Sequence, residues 1–137
     1  MLREVAEKYY LQGYNCAEAM IRAGNEYYNL GLHEHDMRMT AAFGGGFQIG
    51  DVCGALSGSA CVVSCKYVER KAHDNQEQIR SITQKLVLAF QKELGSRLCS
   101  KVKPIHYNKE VKCQNTVGLS ADVLEKIIND FEKEINA

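Results

Sequence analysis

Apolar residues recur at steps of three and four over most of the chain, the spacing of a single buried helix face. Leu2, Val5, Ala6, Tyr9 and Tyr10 follow it until Gly13 interrupts. Asn15 then stands as the N-cap of a second helix carrying Ala17, Met20 and Ile21, which puts Cys16 in its first turn. Asp36 opens a short helix through Met37, Met39 and Ala42. The triple glycine Gly44, Gly45 and Gly46 must end it, because consecutive glycines lose too much backbone entropy to stay helical.

Helical spacing resumes from Cys53 to about Lys71. Asp74 with Glu77 three residues on makes a capping box for a helix with Ile79, Ile82, Leu86, Phe90 and Leu94 on one face, ending at Gly95. From Ser96 the periodicity weakens around the lone Pro104, predicting only short helical turns near Cys99 and Cys113. Ser120 caps a last helix that buries Val123, Leu124, Ile127, Ile128, Phe131 and Ile135. Strand signals are nearly absent, so the pattern predicts an all-α bundle of about five helices with a glycine-rich loop. With no linker, repeat or low-complexity segment, residues 1–137 read as a single domain.

Charge changes the picture by exclusion. The 17 basic and 17 acidic side chains cancel, and no segment accumulates like charge, so no standing attraction to nucleic acid or to a membrane surface is expected. Charged residues run through MLREVAEKYY where a signal peptide would be apolar, and no window offers about 18 uncharged apolar residues. The chain reads as cytoplasmic, and in a reducing compartment its 6 cysteines are metal ligands, redox groups or packing residues rather than disulfide staples.

Position divides these cysteines. Cys61 and Cys65 fall four apart inside one helix among Ala60, Val62 and Val63, as small core side chains do. Cys16, Cys53, Cys99 and Cys113 fall at helix starts or in irregular segments, where unpaired N–H groups and the helix dipole favour thiolate. The stretch GGGFQIGDVCGALSG crowds Gly44, Gly45, Gly46, Gly50, Gly54 and Gly58 around Cys53. Gly54 and Gly58, four apart on one face, let another backbone approach there, while Gly45 and Gly46 offer a loop whose N–H groups wrap sulfur or an anion. A tight helix crossing beside a turn, with nothing bound, explains the same glycines.

Other motifs carry less. Gly44 to Gly50 lacks the glycine a dinucleotide fingerprint needs at Ile49 and follows no strand. His33 and His35 fit an exposed polar turn, and His73 and His106 stand alone. The four cysteines show no paired zinc-type spacing.

The order NCAEAM at Cys16, GGG and CGALSG at Cys53, then Cys99 and Cys113 resembles the C_GCAxxG_C_C family of redox-active proteins over nearly the whole chain. Cys61 and Cys65 lie outside that pattern. The resemblance implies a redox role for Cys16, Cys53, Cys99 and Cys113, as ligands of an iron–sulfur cluster or as dithiols exchanging with a redox partner protein. The competing readings are a helical interaction module with structural buried thiols and a soft-metal site for Cu(I) or Zn(II).

Overall fold

The computed structural model describes residues 1–137. It is all-helical: α1 (Leu2–Leu11), α2 (Cys16–Tyr28), α3 (Glu34–Arg38), α4 (Gly54–Tyr67), α5 (Gln76–Leu94), α6 (Cys99–His106) and α7 (Gln114–Ile135). These are seven helices rather than about five. The five long ones carry the apolar periodicity, and the two beyond that number are α3, the short helix expected around Met37, and α6, where only short helical turns near Cys99 were expected. No helix is long and apolar enough to cross a membrane.

The Asn15 cap forms as expected: its side chain accepts from the Glu18 N–H while the Glu18 carboxylate accepts from the Asn15 N–H, which starts α2 at Cys16. Three other boundaries move. His33, not Asp36, caps α3, with the Asp36 carboxylate accepting from the His33 N–H. The stretch Ala72–Asn75 is a 3-10 turn, so α5 begins at Gln76 without the Asp74 box. Ser120 is interior to α7, its hydroxyl donating back to the Thr116 carbonyl. Gly95 ends α5 in the left-handed region as its position requires.

One continuous core joins α1, α2, α4, α5 and α7 through Leu2, Met20, Val62, Phe90 and Leu124, with Met37 and Val102 closing it from α3 and α6. The α2–α4 crossing is the most extensive contact, followed by α1 with α7. Gly58 makes the first possible: a Cβ there would lie 2.6 Å from the Ala17 carbonyl oxygen and 2.9 Å from the Met20 Cβ. Cys61 is half-buried, whereas Cys65 is exposed, contrary to the reading of both as core side chains.

Between α3 and α4, Gly45, Gly46, Phe47 and Gln48 all take left-handed φ, from 57° to 64°. Gly46 requires it, since a Cβ would run into the Asp51 backbone. Phe47 and Gln48 hold the same conformation against side-chain sterics. The turn closes with the Asp51 N–H donating to the Gly46 carbonyl, and it delivers the chain to Cys53.

Candidate functional site

Each of the four signature cysteines stands at the start of a different long-range element. Cys16 is the first residue of α2, Cys53 the N-cap of α4, Cys99 the first residue of α6 and Cys113 the N-cap of α7. All four line one cavity of about 380 Å³. All six cysteines of the chain are free thiols.

Backbone contacts account for the convergence. The Cys53 N–H donates to the Arg97 carbonyl at 2.8 Å and the Cys99 N–H to the Asp51 carbonyl at 2.6 Å, a short antiparallel bridge of Val52 with Leu98 that zips Cys53 to Cys99. The α2–α4 crossing brings the start of α2, and so Cys16, to the start of α4. A second bridge, Asn108 with Lys112, folds the chain back before α7 and leaves Lys112 at φ 53°. The Cys113 N–H then donates to the Tyr10 hydroxyl at 3.0 Å, tying the start of α7 to α1.

The thiols differ in charge. The interaction between the neighbouring Cys16 and Cys113 sulfurs pushes the Cys16 pKa well up, with burial acting the same way. It pulls Cys113 down to about 6, helped by the Lys103 ammonium and the Tyr10 hydroxyl against the opposing effect of burial. Burial raises Cys53 to about 11, although the N–H groups of Ala55 and Leu56 act in the other direction, and burial raises Cys99 as well. Of the four positions where a helix start was expected to favour thiolate, only Cys113 is shifted toward it, and its neighbouring side chains rather than the helix start lower it. At Cys53 and Cys99 the desolvation penalty on a charged sulfur exceeds what the first helical turn returns, and at Cys16 the interaction with Cys113 adds to it.

Of the glycines expected at the site, Gly45 and Gly54 line the cavity, while Gly46 and Gly58 do not. Those two act through the left-handed turn and the helix crossing, where their missing side chains are needed. Residues the sequence reading passed over complete the wall: Tyr10, Lys103, Lys112 and Thr116. Thr116 follows Cys113 by three on α7, which places both on one face. The other three come from segments with no sequence signal pointing here.

Four thiols on one cavity are the donor set of an iron–sulfur cluster. Their arrangement is not, because no group of three or more His, Cys, Asp or Glu side chains is placed to hold a metal ion.

No curated protein and no solved structure matches the chain. The family model described as "Putative redox-active protein (C_GCAxxG_C_C)" matches residues 14–127 and so takes in every cysteine, both bridges and all of the cavity wall except Tyr10 and Gly13. The chain belongs to the C_GCAxxG_C_C family.

Proposed function

We propose that this protein is a thiol oxidoreductase that passes electrons to a disulfide through Cys113 and Cys16. The observation that carries the reading is the convergence of Cys16 and Cys113 as free thiols on one cavity wall, beside the Cys113 pKa lowered to about 6 and the Cys16 pKa pushed well up. Thiol–disulfide exchange needs that pair: a thiolate to attack and a second thiol to resolve the mixed disulfide. Tyr10 and Lys103 keep Cys113 charged, and Cys113 is half-buried, so a small group can reach it. Cys53 and Cys99, zipped together on the same cavity, supply a second dithiol that hands electrons on to Cys16 and Cys113.

The second reading, an iron–sulfur protein, is favoured by the four thiols on one cavity and opposed by their placement. One experiment separates the two. Protein purified without oxygen is analysed for iron and visible absorption, and its thiols are titrated and mapped before and after a stoichiometric disulfide oxidant. Iron-free, colourless protein in which Cys16 and Cys113 become linked is the expected result. Iron with sulfur-to-iron absorption selects the cluster instead, and colourless protein whose thiols all survive the oxidant leaves a helical module with structural cysteines.

A further inference from the structure

The cavity holds more polar equipment than the thiol chemistry uses. Thr116 is only 2% exposed, lines the cavity, and its hydroxyl oxygen is buried without a hydrogen-bond partner in the protein. A buried hydroxyl left unpaired costs about 1–3 kcal/mol, so such groups are kept where something else pairs with them. At the mouth of the same cavity stand the exposed Lys103 and Lys112, and neither ammonium group forms a salt bridge. The one carboxylate on the wall, Glu18, is already engaged by the Asn15 N–H in the cap of α2. The starts of α2, α4, α6 and α7 add the positive ends of four helix dipoles.

The geometry points to a binding site for a small anionic disulfide, with Lys103 and Lys112 holding its negative groups and the Thr116 hydroxyl taking a polar atom beside Cys113. This rests on the thiol-exchange reading and names its substrate class. The Cys113 thiolate attacks one sulfur of the bound disulfide, forming a mixed disulfide and expelling the other half as a thiolate that takes a proton from water. The Cys16 sulfur, losing its proton, then attacks the Cys113 sulfur. A Cys16–Cys113 disulfide forms, the bond to the bound half breaks, and that half leaves as a thiol carrying the Cys16 proton. Two electrons move from the protein dithiol to the substrate disulfide, which is reduced to two thiols.

The test compares two chromogenic disulfides, dithiobis(nitrobenzoic acid), a dianion at neutral pH, and neutral dithiodipyridine, reacting with reduced protein, with the modified cysteine mapped by mass spectrometry. The readout is the ratio of the two rates at Cys113, because any change in thiolate content acts on both probes and cancels. The ratio is expected to fall by about fivefold or more in the double variant Lys103→Gln with Lys112→Gln, and to fall with added salt as exposed charges are screened. Thr116→Val is expected to lower the ratio while melting no lower than the parent, since it removes an unpaired buried hydroxyl and preserves the shape. A ratio unchanged in all these variants overturns the anion site while leaving thiol exchange standing. Failure of both probes to modify Cys113 overturns both.

Discussion

Cys113 and Cys53 are the same residue type at the same helical position, the N-cap, yet one ionises near neutrality and the other is held protonated up to about pH 11. The difference is what surrounds each sulfur: Cys113 is lowered by its interaction with Cys16 and by the Lys103 ammonium, whereas burial dominates at Cys53. A lowered pKa means thiolate persists to lower pH, so alkylation of Cys113 by iodoacetamide should climb through pH about 6 and be level by neutrality, while Cys53 stays unmodified in the folded protein. Removing that neighbour in Cys16→Ala moves the Cys113 midpoint upward, and at neutral pH the rate falls. The pH–rate profile of mapped Cys113 modification measures both. Tyr10→Phe removes the hydroxyl that pairs with the Cys113 N–H, so it should raise the midpoint by less and lower stability by about 1 kcal/mol in a urea titration.

At the scale of elements, the α2–α4 crossing governs how closely Cys16 approaches Cys53. Gly58→Ala sets two effects against each other: alanine favours a helix over glycine by about 1 kcal/mol, and overpacking costs about 1–3 kcal/mol. The obstacle is partly the Ala17 backbone, which cannot rotate away as a side chain does, so the packing penalty should prevail. The variant is expected to melt lower than the parent and to form the Cys16–Cys113 disulfide at a different rate, because α2 carries Cys16 with it. A variant more stable than the parent would show that the helices do not meet at this point. Cys65→Ser, on the exposed side of α4, should leave stability within about 0.5 kcal/mol and the exchange rate unchanged; thermal melts and probe kinetics check it.

For the whole molecule, the Cys16–Cys113 pair spans nearly the length of the chain, from the start of α2 to the start of α7. Closing a loop of that size removes much freedom from the unfolded state, so the oxidised protein should exceed the reduced one in stability by roughly 4–5 kcal/mol. Denaturant titrations of the two forms report the difference. A much smaller gain would mean that the native geometry must distort to make the bond. Oxidation state would then act on the fold as well as on the site.

Helix content, the Asn15 cap, the Gly95 stop and the placement of Cys16 and Cys53 at helix starts were legible in the sequence, because each depends on residues within a turn or two of one another. The Asp74 and Ser120 caps were misread for the same reason: a local motif competes with tertiary packing, which carried the start of α7 from Ser120 back to Cys113. What only the tertiary structure decided is which thiol carries charge and what surrounds it. Cys16, Tyr10 and Lys103 reach Cys113 from three separate helices, and Thr116 becomes an unpaired hydroxyl only when the cavity closes over it. Electrostatics and desolvation act through space, so no spacing along the chain encodes them.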